Sequence, residues 1–168
     1  MQGIQDMIFL GEIILQVKIA GRSAERLEAT KDNFDKIEVW CSIQSILVAA
    51  GNISKILWPS NTKYKKRGER LRKMLEVEDD NVLSIRKFRN NFFEHYDAKI
   101  EEWFSNQSSS VYIDLAMNPS FPGSNLNTHR GYNSFDNTLE FRGEKLNLND
   151  VLNAMENIFE KCKPFALT

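Results

Sequence analysis

Apolar residues recur at intervals of three and four from the start of the chain. Ile4, Met7, Ile8, Gly11, Ile14, Leu15 and Ile19 follow the period of one helix face, which predicts a helix running on towards Leu27, with a break near Gly21. A second helical pattern runs through Phe34, Ile37, Trp40, Cys41, Gln44, Ile46 to Val48 and Ile53, with Asp32 as its N-cap. Pro59 and Gly68 interrupt the periodicity, and a short helix is expected over Arg70 to Leu75. "EVEDDN" reads as an acidic connector whose Asp79 or Asp80 caps a fourth helix, from Val82 to Trp103 or Phe104.

Beyond that point the pattern changes. "SNQSSS" reads as a linker and "VYIDLAM" as an alternating strand. "NPSFPGSNLNTHRGYNSFDN" is a long polar loop, and "TLEFRGEKLNL" a hairpin turning at Arg142-Gly143. Asn149 or Asp150 would cap a last helix, Val151 to Lys161, with Leu152, Met155, Ile158 and Phe159 on one side. The sum is one domain over 1–168, a mainly α up-and-down bundle. A loop and β-hairpin insertion, 106–148, precedes its last helix.

Composition narrows the class only slightly. A chain of 168 residues with 42% hydrophobic and 27% charged residues can bury a core without disulfides or metals. With a formal net charge of −1, any anion site must be local. Cys41 and Cys162, each inside an apolar helical pattern, read as small core residues. The N-terminal run lacks a basic start and carries Asp6 and Glu12, so no signal peptide and no membrane span are expected. The expected location is the cytoplasm. Two distant histidines give no pattern for a structural metal, so no metal or other cofactor is expected.

The fourth helix carries the candidate chemistry. On an ideal wheel Ile85, Arg89, Phe92, Phe93, Tyr96, Ile100 and Trp103 share one side, with His95 at its border. A guanidinium in an apolar stripe cannot shed its proton, so it needs a partner or an exit. Three readings stand open on physics alone: an internal carboxylate pair, a snorkelling side chain, or an arginine that meets phosphate. "RNNFFEHYD" resembles the Arg-x(4–6)-His motif of the HEPN superfamily, named for higher eukaryotic and prokaryotic nucleotide-binding domains. Arg89 and His95 have five residues between them, and Asn90 matches the polar residue often found after the motif's arginine. The resemblance covers roughly residues 1–105 and the last helix.

That resemblance implies a HEPN-like bundle and a metal-independent endoribonuclease, often a toxin or phage-defence effector, with its site at a homodimer interface. Arg89 would hold the scissile phosphate, His95 would move protons, and Asn90 would orient one of them or donate to a phosphate oxygen. RNA brings its own nucleophile, the 2′-hydroxyl, so no activated side chain or metal-bound water is required. Imidazole titrates near neutrality, and a guanidinium matches two phosphate oxygens. The implied partners are an RNA substrate, a second copy of the chain, and an antitoxin or other regulatory protein. A subset of the superfamily carries a modifiable tyrosine two residues after the histidine. Here Asp97 stands there, and Tyr96 reads as core.

Two rival classes remain. One is a non-catalytic module of the same shape that binds RNA, a nucleotide or a protein. The other is a helical interaction protein in which Arg89 pairs internally. His129, beside Arg130 and near Tyr132, reads as a solvent-facing loop histidine or as an RNA contact by charge and stacking. "KYKKRGERLRK" reads as a solvated helix start or a phosphate-tracking run. Trp40, Trp58 and Trp103 read as bundle packing.

Overall fold

Helix α1, Ile4–Ala29, is unbroken, and Gly21 lies inside it without ending it. The helix is as predicted, but its buried residues Leu10, Ile13, Val17, Ala20 and Leu27 lie on a different face from Ile4, Ile8, Leu15 and Ile19, which are exposed. The computed structural model describes residues 3–84, 95–106, 112–118 and 128–165. A 3-10 turn over Thr30–Asp32 follows α1, and Phe34 takes a left-handed φ of 54°. Helix α2, Lys36–Leu57, is therefore capped by Asp35, not Asp32: the Asp35 carboxylate accepts from the Glu38 amide. By length and composition α2 could cross a membrane, but 61% of its most apolar window is buried. The two long helices form the main pair of the bundle.

Helix α3, Lys65–Met74, starts earlier than the pattern predicts, because Gly68 sits within it. A Cβ at Gly68 would stand 2.5 Å from the Leu57 carbonyl oxygen and 2.6 Å from Pro59 Cδ. This glycine lets α3 press against the end of α2. Gly68→Ala is expected to cost about 1–3 kcal/mol through overpacking against backbone, measured by urea unfolding. The basic run is engaged within the fold. Arg70 donates to both carboxylate oxygens of buried Asp6 on α1, at 2.9 and 2.6 Å. These bonds hold the Asp6 carboxyl below the usual carboxylate range. Arg72 donates to the Leu57 carbonyl and pairs with Asp79, while Arg67 reaches the Lys55 and Ile56 carbonyls.

Asn81, not Asp79 or Asp80, makes the turn that follows, its side chain accepting from the Leu83 amide within a 3-10 turn, Val82–Ser84. The expected unbroken helix to Trp103 is corrected at its far end. His95 is in a turn, and helix α4 runs Tyr96–Asn106. A wheel drawn through residues 82–103 as one helix therefore does not fix how Tyr96 and Trp103 stand relative to Arg89.

A small four-stranded sheet, in the order β1-β2-β3-β4, precedes the last helix as expected. Strand β1, Ala116–Met117, is only two residues and pairs parallel with β2, Arg130–Asn133. Strands β3, Thr138–Phe141, and β4, Glu144–Asn147, form the predicted hairpin. Its central residues Arg142 and Gly143 have φ of 49° and 86°, the two positive values of a type I′ turn. Strand β2 lies where the polar sequence predicts a loop. Its register with β3 pairs Arg130 with Phe141 and Tyr132 with Leu139. Helix α5, Leu148–Cys162, is capped by Asn147, two residues before the nearer expected cap. Tyr132, Leu139, Phe141 and Leu146 join Leu148, Val151, Met155 and Ile158 in the core shared with α1 and α2. Cys162 is buried there, and burial pushes its thiol up to about 12. Cys41 is exposed on α2 and is not a core residue.

Candidate functional site

His95 is exposed and stands directly ahead of α4. Its carbonyl accepts the Lys99 amide at 3.0 Å, so its backbone closes the first turn while its ring faces solvent. Arg89 and Asn90, the other two candidates, lie outside the described residues. The structure thus gives one member of the motif and its immediate surroundings.

Those surroundings are firmly built. The Tyr96 hydroxyl donates to Asp114 at 3.0 Å. Arg130 at the start of β2 donates to both oxygens of the same carboxylate, at 2.9 and 2.7 Å. Its guanidinium also lies over the Tyr96 ring, 4.2 Å from the centroid. Side-chain exposure is only 10% for Arg130 and 16% for Asp114. Burial alone would raise the Asp114 pKa, but the Arg130 hydrogen bonds and charge, helped by Tyr96, hold it below its ordinary value. The first residue of α4 is thereby pinned to the insertion. Tyr96 is a polar anchor with an apolar ring, not a plain core residue.

His129 is the largest departure from expectation. The sequence suggests a solvent-facing loop residue or an RNA contact, whereas His129 is fully buried. Rings of Phe141, Tyr112, Trp103 and Tyr96 surround it, with centroids 5.0, 5.5, 5.6 and 5.9 Å away. Neither ring nitrogen has a hydrogen-bond partner among the described residues. Burial lowers its pKa, the Asp114 carboxylate opposes that shift, and Arg130, Arg142 and Lys99 add to it.

The unfolded chain's imidazole titrates near about 6.5, whereas the folded one resists protonation. Between the lowered folded pKa and that value the unfolded state binds more protons, so stability rises with pH. The contribution is full above the unfolded pKa and is lost as pH falls below it. A His129→Phe chain, filling the same ring box, is expected to lose this part of the acid sensitivity. Urea midpoints measured from pH 7.5 to 5 would show the unaltered chain losing stability relative to the variant as pH falls. Parallel curves would contradict it.

Arg142 extends the anchoring. It donates to Glu102 on α4 at 3.0 Å and lies over the Trp103 ring. Phe104 meets Tyr112 at 5.4 Å. The insertion therefore braces α4 along most of its length, and this was not visible in the sequence. The signal that was available lay in "NSFDN": Asn133 and Asp136 each accept a backbone amide two residues on, and Asn137 is left-handed, which together turn β2 into β3.

Among the described residues no group of three or more His, Cys, Asp or Glu side chains could hold a metal ion. The described arginines that reach α4 from the sheet, Arg130 and Arg142, each pair with a carboxylate. What the site can do chemically rests on the His95 imidazole, exposed to whatever approaches α4. The molecule is a mainly helical protein with a four-stranded sheet before its last helix. No protein-family model, curated protein or solved structure matches the chain.

Proposed function

We propose that this chain is a metal-independent endoribonuclease of the HEPN-like kind, cutting RNA at a site completed where two copies meet. The observation that supports it is the exposed His95 imidazole at a helix start that Tyr96, Asp114 and Arg130 hold in place. A proton-transfer group must be reachable, and the exposed ring beside an anchored residue supports that role.

In the proposed reaction a histidine takes the proton of the 2′-hydroxyl, whose oxygen attacks the adjacent phosphorus. The bond to the 5′-oxygen breaks as a second imidazole, from the other copy, supplies that oxygen with a proton. The products are a 2′,3′-cyclic phosphate and a free 5′-hydroxyl. Arg89 neutralises the charge that grows on the non-bridging oxygens, and Asn90 donates to one of them or orients a reacting group. One imidazole is ill suited to be base and acid at once, which is the chemical reason for a two-copy site. Such an activity, working in the cytoplasm, suits a toxin or defence effector restrained by an antitoxin or other regulatory protein.

The test is purified protein incubated with single-stranded RNA in EDTA. Cleavage leaving 2′,3′-cyclic phosphate ends is the expected result. No cleavage, or products with 3′-hydroxyl ends, would overturn the proposal. A second reading, a non-catalytic module that binds RNA, a nucleotide or a protein, draws support from the neutralised state of Arg130 and Arg142. It predicts binding in EDTA with no product at all.

A further inference from the structure

Helix α1 buries one face in the core and leaves a second apolar face in water. Ile4, Ile8, Leu15 and Ile19 are 74, 66, 50 and 39% exposed. At the helical repeat these four and Gly11 fall within roughly 80° of one another. Buried Leu10, Ile13 and Val17 lie on the other side of the helix. The aliphatic stripe is on the order of a few hundred Å², about the largest apolar patch that a monomer ordinarily exposes.

The stripe is a palindrome. Ile4 and Ile19 lie equally far from the peptide joining Gly11 to Glu12, and so do Ile8 and Leu15. The helix start ends the stripe on one side and Arg22 ends it on the other, so its two arms match in length. A two-fold contact demands this arrangement, because residue i must meet j while j meets i. An antiparallel pair would set Ile4 on Ile19 and Ile8 on Leu15, with Gly11 at the crossing. Parallel pairing would instead bring Lys18 against Lys18 and Arg22 against Arg22.

Gly11 supplies a separate argument. A Cβ there would meet nothing within 4 Å, so packing within one chain does not require glycine. A helix interior disfavours it. At a helix crossing its missing side chain lets two backbones close up. Glu12, the charged neighbour, is drawn aside: the Gln16 amide donates to it at 2.6 Å, and Asn52 on α2 donates to Gln16 at 3.2 Å.

We propose that α1 pairs with α1 of a second copy, antiparallel and crossing at Gly11. This inference rests on the stripe alone and does not depend on the nuclease reading. The stripe contains no residue of the Arg89–His95 segment.

Sedimentation velocity across a concentration series tests it. The unaltered chain is expected to pass from monomer to dimer as concentration rises. Ile8→Glu with Leu15→Glu is expected to remain monomeric with unchanged circular dichroism, since both positions are exposed. Ile37→Glu, on the exposed part of α2, should leave the dimer as it was. A chain monomeric throughout, or a double variant that still dimerises, would overturn the proposal. Orientation is read by crosslinking in a Cys41→Ser background. Ile8→Cys mixed with Leu15→Cys should give the mixed disulfide as the main product. A predominance of Ile8→Cys homodimer would contradict the antiparallel register. A chain that dimerises yet cuts no RNA would count against the nuclease reading and leave this one standing.

Discussion

Asp114→Ala is expected to lower the free energy of unfolding by about 3–5 kcal/mol, because it strands a buried guanidinium. Arg130 has 10% of its side chain exposed and takes both oxygens of that carboxylate. Removing the acid also releases the Tyr96 hydroxyl. An exposed ion pair would cost far less, about 0–1 kcal/mol. The difference between these outcomes measures how deeply the insertion is anchored on α4. The matching control removes both charges: Asp114→Leu with Arg130→Met should cost much less than the two single changes added together, since no charge is left behind. Urea unfolding of the four chains gives the cycle. A single-variant loss below about 1 kcal/mol would mean that the pair is solvated and braces nothing.

The second large effect concerns activity. If the chain cuts RNA as proposed, His95→Ala is expected to slow that cleavage by about 10²–10⁴-fold, the range for loss of a general acid or base. Stability should change by no more than about 0.5 kcal/mol, because the side chain is exposed and outside the core. The two readouts together separate a chemical role from a structural one. Arg89→Lys keeps the charge but loses the two-pronged match to phosphate oxygens, so it too should slow cleavage. A folded His95→Ala chain that cuts at the original rate would remove this histidine from the mechanism.

Helices were legible because their signals are local. The three-and-four spacing marks α1 and α2 as helices, although in α1 Ile4, Ile8, Leu15 and Ile19 of that spacing face water and Leu10, Ile13 and Val17 face the core. The positive φ values at Arg142 and Gly143 are written in an Arg-Gly turn. Caps were legible as a type, but each fell two or three residues from the expected one. Asp35 and Asn147 cap where Asp32 and Asn149 or Asp150 were expected. Several Asx residues stand near each helix start, and only the path of the incoming chain selects among them. Gly68 looked like a breaker because its close approach to Leu57 and Pro59 is a tertiary fact.

The insertion hid its role for the same reason. "THRGYN" has the polarity of a loop, yet His129 and Arg130 are buried, one by a ring box and the other by a carboxylate sixteen residues away in sequence. No period of two announces that strand, because its inward groups include charged and polar ones. For the candidate site, the sequence pointed to His95, and its exposure at a helix start fits a reachable group. It did not show that Tyr96, Asp114 and Arg130 would brace the next residue. The helical wheel that placed Arg89 in a stripe assumed a helix continuous through His95, and the described residues have a turn there.

The central claim is that His95 and Arg89 act on one phosphodiester. A crystal structure of the chain with a 2′-deoxy RNA analogue, which binds but lacks the nucleophile, addresses it most directly. The proposal predicts a single phosphate held by the Arg89 guanidinium, with a His95 imidazole within hydrogen-bonding reach of the 2′ position or the 5′-oxygen. A nucleic acid bound with those two side chains facing different surroundings, in one chain and across the dimer alike, would contradict it.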